Sequence, residues 1–311
     1  STNAIASQQN EQRPLELADI MKFKSIVAPQ ITEKGNWVGF SAQPDRGDST
    51  YHIKSTNSDI QYQVELGSKA TFSADGRFVA VTVKPELLKK EKADKKEKKK
   101  LKDKLVVIEL ASGKRHEFEA VENFALSDKS GFVAISQKQK KDEKADKKDK
   151  EEKPKSEEDK KAEIKSEKKE EKAKVHNKKR IGLDVTLVNL ADSSQQKMTD
   201  VDSFSFSSEK PLFAYSTSSR DGKGNQLQVI NLINNKTQLL VDEDLQGFNQ
   251  LSWGQKGEQL AFLQGSFSEE KGSRAHQVKI WSSKKNKVTT VKRKSTDWFV
   301  SDVSKLTWSL D

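Results

Sequence analysis

The most informative segment of this 311-residue sequence reads Thr71-Phe72-Ser73-Ala74-Asp75-Gly76-Arg77-Phe78-Val79-Ala80-Val81-Thr82-Val83. An apolar residue and a serine lead into a short polar turn, and an apolar, largely β-branched run follows. This pattern predicts a tight β-hairpin, in which Gly76 supplies the positive φ that a short turn needs. Because Phe78 to Val83 carries apolar side chains at odd and even positions alike, we expect this strand to be buried on both faces.

The same pattern recurs four more times, in segments that begin at Gln30, Ala125, Ser205 and Ser252. Gly35 and Gly257 occupy the turn position of Gly76, whereas the third and fourth units depart from it, the fourth with Lys210-Pro211. A second, more polar hairpin follows each unit, at residues 51–64, 105–118, 184–198, 228–240 and 277–291. Two hairpins per unit make four antiparallel strands, and a repeat of roughly 40 to 50 residues is typical of a propeller blade.

We therefore predict an all-β fold, a β-propeller of four-stranded antiparallel blades, with about five blades and the start of a sixth at Thr307-Trp308-Ser309. Residues 1–27 are predicted to form an N-terminal leader and residues 28–311 the propeller, which insertions at 86–104 and 138–180 interrupt. Since the sequence stops one turn into the sixth unit, we expect the propeller to be incomplete. The alternative, that Leu306 to Leu310 supplies one closing strand to another blade, stays open.

Both insertions are rich in lysine and glutamate. The first has 10 basic and 5 acidic residues and the second 19 and 13, so the rest of the chain has a net charge of about −1 although the whole carries +10. With almost no apolar residues, these tracts are predicted to be solvated helix or disordered chain, and no nucleic-acid partner is predicted for the fold. Binding of an acidic polymer or a membrane is the alternative, which the lysine count favours and the 18 interleaved acidic residues oppose.

The sequence lacks the usual signs of catalytic chemistry. It has no cysteine, no P-loop, no H-E-x-x-H motif and no apolar run long enough to span a membrane, and Gly265-Ser266-Phe267-Ser268-Glu269 lacks the last glycine of a G-x-S-x-G nucleophile turn. We interpret the four histidines, His52, His116, His176 and His276, as ordinary surface residues. We thus predict no catalytic, cofactor-binding or metal-binding residue, and the substrate-binding residues stay unknown.

One family resemblance is specific enough to name. The leader at residues 17–26 (LADIMKFKSI), followed by 29–38 (PQITEKGNWV), resembles the propeller entrance of bacterial serine peptidases of the prolyl oligopeptidase family. Residues 72–77 and 214–222 are similar to turns of the same propellers, so the resemblance spans nearly the whole chain outside the insertions.

This resemblance implies that a C-terminal α/β-hydrolase domain, which this chain lacks, carries the nucleophilic serine, the aspartate and the histidine. The propeller would cover that domain and limit access to peptides, and its partners would be the hydrolase domain and peptide substrates. We expect a periplasmic or secreted location, with the cytoplasm left open. The alternative function is a stand-alone periplasmic propeller that binds a partner as a scaffold.

Overall fold

The computed structural model describes residues 22–137, 182–266, 276–292, 300–301 and 304–309, together with Pro14, Glu16 and Asp19. Its contacts divide the chain into two compact units. Unit 1 comprises Ser1–Ala70 and Val81–Leu101, and unit 2 comprises Thr71–Ala80 and Lys102–Asp311.

The first four strands form a separate antiparallel sheet in the order β1-β2-β3-β4. This first blade contains β1 (Lys24–Ile31), β2 (Trp37–Pro44), β3 (Thr50–Ser55) and β4 (Gln61–Glu65). Strand β1 begins inside the predicted leader segment. All eight of its residues are exposed, whereas β2 and β3 each have half of their residues buried and only one exposed.

A continuous ten-stranded sheet follows, from β5 to β14 in chain order. Its first half contains β5 (Gly67–Phe72), β6 (Phe78–Val83), β7 (Asp103–Glu109), β8 (Arg115–Leu126) and β9 (Phe132–Gln137). Its second half contains β10 (Leu183–Asn189), β11 (Gln195–Phe206), β12 (Leu212–Thr217), β13 (Gln226–Asn231) and β14 (Lys236–Asp242). The last sheet contains β15 (Gln246–Trp253), β16 (Gln259–Ser266), β17 (Gln277–Ser282) and β18 (Lys287–Thr290).

The ten-stranded sheet is three blades joined through two long shared strands. The first part of β8 pairs with β7, and the part from Val121 onward pairs with β9. Strand β11 changes partner from β10 to β12 in the same way, at Val201. A register shift marks each change of partner, so each of these strands is the last of one blade and the first of the next. The predicted fold class, an all-β β-propeller type of four-stranded antiparallel blades, is thus confirmed.

Within unit 2, consecutive blades pack face to face. In β9, Val133 and Ile135 join one apolar cluster with Phe78 of β6, while Ala134 between them joins the next cluster with Phe213 of β12. Alternate side chains of a strand point to opposite faces, so one strand serves two cores. This geometry explains why the central strands lack a polar face, and the burial of β6 along nearly its whole length confirms the expectation for Phe78 to Val83.

All five turns between the first and second strand of a blade close with the same hydrogen bond. A backbone N–H donates to the carbonyl five residues on, and the five bonds run from Thr32 to Trp37, Ser73 to Phe78, Ser127 to Phe132, Ser207 to Leu212 and Gly254 to Gln259. The third turn has its glycine, Gly131, one position later than expected, with a φ of 73°. The fourth turn closes around Lys210-Pro211 without any positive-φ residue from Ser207 to Leu212. The sequence departures therefore change the turn backbone and leave the hairpin intact.

The first insertion contains two short helices between β6 and β7, α1 (Leu87–Lys92) and α2 (Lys95–Lys100). Asp94 caps α2, since its side chain accepts hydrogen bonds from the backbone N–H groups of Lys96 and Glu97. The second insertion lies between β9 and β10, outside the described residues. No described helix has the length and apolar character needed to cross a membrane.

Candidate functional site

The turns between the first and second strands of the blades in unit 2 form a row that is linked by polar contacts. We call it the turn row and define it as residues 73–78, 127–132, 207–212 and 254–259. Each turn contacts the next one along the row through hydrogen bonds or close packing. The repeat explains this arrangement, because equivalent turns of stacked blades come to the same end of the stack.

An arginine joins the second blade to the third. Arg77 Nε donates to Asp75 Oδ2 at 2.6 Å within its own turn, while Arg77 Nη2 donates to the carbonyl of Lys129 at 2.7 Å. The N–H of Asp75 also donates to the carbonyl of Asp128 at 3.0 Å. Burial raises the pKa of Asp75, but hydrogen bonds from Ser73 and Arg77 outweigh burial, and the net result is a lowered pKa. Asp75 therefore stays ionised and holds the guanidinium in place.

An ion pair and a close packing contact continue the row to the fourth and fifth blades. Lys129 Nζ lies 2.8 Å from Glu209 Oε1 and 2.9 Å from Glu209 Oε2. Gly257 then packs so tightly on the fourth turn that a Cβ there would lie 2.3 Å from Ser207 Oγ. Next to Gly257, the pKa of the Glu258 carboxylate is lowered. The largest cause is a hydrogen bond that Lys284 donates to it.

Two tryptophans show that the sixth unit begins in the register of a blade. Trp253 Nε1 donates to the carbonyl of Ser205 in the preceding blade at 3.2 Å. Trp308 Nε1 donates to the carbonyl of Ser252 at the same distance of 3.2 Å, and Ser205 and Ser252 are equivalent positions of the repeat. Residues Gly254, Glu258 and Trp308 line an open groove of about 250 Å³ beside this contact.

A second groove lies where the outer parts of the third and fourth blades meet. It has a volume of about 270 Å³ and is lined by apolar and amide side chains, among them Phe132, Leu187, Leu232, Ile233 and Asn235. Ile233 stands 81% exposed beside it. Such a groove offers apolar contact and a few hydrogen bonds.

The histidine interpretation was wrong for two of the three described histidines. His116 on β8 is 9% exposed, and its pKa is lowered first by burial and then by Lys114. His276 is 2% exposed and packs against Gly265, where a Cβ would lie 2.7 Å from its Cδ2. His52 on β3 is half-buried and stacks on Phe40 with ring centroids 5.2 Å apart. His176 lies outside the described residues.

The buried histidines had no signal in the sequence, because both follow polar stretches that look like outer strands. Their burial comes from the neighbouring segments of chain. His116 donates a hydrogen bond to the backbone of Leu190 in the next blade, and His276 forms a bridge with Val300. In the described part of the chain no group of three or more His, Cys, Asp or Glu residues could hold a metal ion.

Comparison with known proteins found similarity at the level of structure alone. No protein-family model matches the sequence, and no curated protein matches it. Acylaminoacyl peptidase of Pyrococcus horikoshii is similar in structure with a TM-score of 0.44 and 12% identity, over 87% of this chain and 40% of that one. The β-propeller domain of the trilobed protease of Pyrococcus furiosus gives 0.43 and 11%, over 86% of this chain and 72% of that one.

TolB of Acinetobacter baumannii is also similar, with a TM-score of 0.35 and 9% identity over 87% of this chain and 55% of that one. The present chain spans about two fifths of the length of the acylaminoacyl peptidase chains it resembles.

Proposed function

We propose that this chain is the propeller portion of a serine peptidase of the prolyl oligopeptidase family, and that it covers an α/β-hydrolase domain and limits access to peptides. The observation that carries the proposal is the entrance segment at residues 29–38 together with its recurrence. These residues form the end of β1, the first turn and the start of β2, and the same hydrogen-bonded turn closes every later blade.

The contribution of such a domain is exclusion and orientation. In this proposal the blades stand between the hydrolase domain and a folded protein, while a flexible peptide can reach the domain. Proton transfer and acyl transfer need a nucleophile, a base and an oxyanion site, which the proposal assigns to the hydrolase domain. The residues of this chain have the role of selecting the substrate by size.

The first test is enzymatic and uses the chain by itself. We expect no hydrolysis of fluorogenic peptides and no covalent labelling by a serine-directed phosphonate. Measurable turnover that persists after repeated purification, together with a labelled serine located by mass spectrometry, would contradict the proposal.

The second test uses the full-length gene product. We expect about 250 further residues with a G-x-S-x-G turn, as in hydrolase domains of this type. Deleting residues 28–311 from that protein should raise the cleavage of a large, loosely folded protein relative to that of a short peptide. An unchanged ratio would show that the propeller does not select by size.

The alternative function is a scaffold propeller that binds a protein partner. The groove between the third and fourth blades and the exposed Ile233 are the observations that favour it. A full-length product that ends without a hydrolase domain would support this alternative over the peptidase.

A further inference from the structure

The first lysine-rich insertion presents a cluster of exposed lysines once it is folded. In the sequence, 5 acidic residues partly offset the positive charge of the 10 basic residues of this insertion. The structure shows that the acidic side chains of its two helices have hydrogen-bond or ion-pair partners within the protein, whereas six of the lysines have no ion-pair partner among the described residues. All the residues concerned except Lys102, Asp103 and Lys104 lie in unit 1.

Each acidic residue of the two helices has an internal partner. Glu91 Oε2 lies 3.2 Å from Arg46 Nη2 in the loop between β2 and β3. Glu86 Oε1 pairs with Lys89 Nζ at 3.0 Å. Asp94 caps α2, and Glu97 Oε2 accepts a hydrogen bond from the backbone N–H of Asp94 at 3.0 Å, which completes a capping box.

A further contact fixes the start of the insertion. The N–H of Leu87 donates to Asp48 Oδ1 at 2.8 Å, again in the loop between β2 and β3. Together with the pair between Arg46 and Glu91, this contact ties α1 to the first blade. The insertion is therefore held at both its start and its first helix.

Lys89 pairs with Glu86, but most other lysines of the helices lack such a partner among the described residues. Six of them are exposed and form no ion pair with any residue that the structure describes: Lys90, Lys92, Lys95, Lys96, Lys98 and Lys100. We call these six residues the lysine patch. Six ammonium groups within eleven consecutive residues repel one another in water, and a multivalent anionic surface relieves that repulsion.

We propose that the lysine patch binds the anionic headgroups of a phospholipid bilayer, so that the protein associates peripherally with membranes. Leu88 supports a lipid partner, since it stands 61% exposed on α1, at the edge of the patch. A leucine beside a cluster of lysines gains from insertion between headgroups and gains nothing from a nucleic-acid backbone.

The composition of the insertion also favours lipid over nucleic acid. From Lys84 to Lys104 there is no arginine to make bidentate contacts with phosphate or guanine and no aromatic residue to stack on a base. Lysine acts as a point charge without directional demands, which suits the fluid array of headgroups in a bilayer. This inference is independent of the proposed peptidase function.

The test is a vesicle-binding measurement with the full 311-residue chain. We expect co-sedimentation with phosphatidylcholine vesicles that contain about 30% phosphatidylserine, little binding to pure phosphatidylcholine, and loss of binding in high salt. Each lysine near an anionic surface contributes about 1 kcal/mol, or roughly a fivefold change in affinity. The triple variant K92Q/K95Q/K98Q should therefore bind about a hundredfold more weakly.

The matched control removes the same charge elsewhere. K223Q/K236Q/K256Q changes three exposed lysines outside the insertion and should keep nearly full binding. The variant L88Q, which keeps all charges, should weaken binding by several-fold because it removes the inserted side chain. Circular dichroism spectra that match the parent chain show that each variant is folded.

Three outcomes would overturn the proposal. Equal binding to neutral and anionic vesicles, or equal loss in the patch variant and the control, would remove the lysine patch as the cause. Tighter binding of a duplex oligonucleotide than of vesicles at equal phosphate concentration, with the same dependence on the patch, would assign the surface to nucleic acid.

Discussion

Single hydroxyl groups hold several of the blade turns in place. The backbone N–H of Phe132 donates to Ser127 Oγ at 2.8 Å, and that of Phe78 donates to Ser73 Oγ at 2.9 Å. Both serines are almost completely buried. A buried donor without an acceptor is costly, so Ser73 and Ser127 have a structural reason to precede their turns.

The pH dependence of stability belongs to the residue scale as well. Burial and the nearby Lys114 lower the pKa of His116 in the folded chain, so the unfolded chain binds a proton first as the pH falls below about 6.5. Stability contributed by the neutral imidazole is therefore present above that pH and lost as the pH falls toward the lowered pKa. We expect the free energy of unfolding to drop between pH 7.5 and pH 5.

The variant H116Q tests this assignment by urea denaturation across that range. Its free energy of unfolding should fall less with pH than that of the parent chain. Burial is also the main reason why the pKa of His52 is lowered. The variant H52Q should therefore also flatten the plot of unfolding free energy against pH. Some slope should remain in each single variant, because the other histidine is still present. Parallel curves for the parent and H116Q would show that His116 has no part in the dependence.

At the scale of elements, the links between blades share one backbone feature. A residue other than glycine adopts a positive φ at each of the four transitions between the five described blades. These residues are Leu66, Ala120, Asp200 and Leu245, with φ between 54° and 62°. A left-handed residue turns the chain sharply, which lets the outermost strand of one blade continue into the innermost strand of the next. A side chain in this region costs about 1 kcal/mol or more, so the fold imposes these positions against local preference.

The contact between the fourth and fifth turns gives a second prediction. Gly257 and Gly224 have nearly equal φ values of 63° and 65°, but a Cβ at position 257 would clash with Ser207 while one at position 224 meets nothing within 4 Å. Both G257A and G224A suffer the backbone cost of about 1 to 2 kcal/mol. Only G257A should lose a further 1 to 3 kcal/mol or so, because it overpacks a close contact.

Urea denaturation of the two variants measures the difference directly. The double variant S207A/G257A should recover part of the extra loss, since it removes the hydroxyl that the new Cβ meets. Equal losses in G257A and G224A would mean that the fourth and fifth turns do not pack as closely as the structure shows.

At the scale of the whole molecule, one sheet edge is exposed among the residues that the structure describes. Strand β1 is the edge of the first sheet and exposes several large apolar side chains: Ile26, Val27 and Ile31. An exposed edge with apolar side chains pairs readily with other chains and promotes aggregation. We expect the isolated protein to self-associate as its concentration rises.

The variant I26T/I31T tests the role of this edge. Threonine keeps the β-branched shape and lowers the apolar exposure, so light scattering at high concentration should fall while the circular dichroism spectrum stays the same. A matched change of Ile233, which is exposed far from β1 in the sequence, to threonine should leave self-association unchanged. The edge assignment would be wrong if I233T reduced scattering as much as I26T/I31T does.

The sequence by itself determined the blade repeat, the strand positions and the place of both insertions between second and third strands. These features can be predicted from short-range patterns, because apolar strand segments and turn residues are recognised from residues close together in the sequence. Tertiary structure alone decided that His116 and His276 are buried, that Arg77 and Lys129 join successive turns, and that Glu91 of the first insertion pairs with Arg46 while the lysine patch has no ion-pair partner among the described residues. Each of these depends on which distant segment lies opposite a side chain, and a linear pattern carries no information about that.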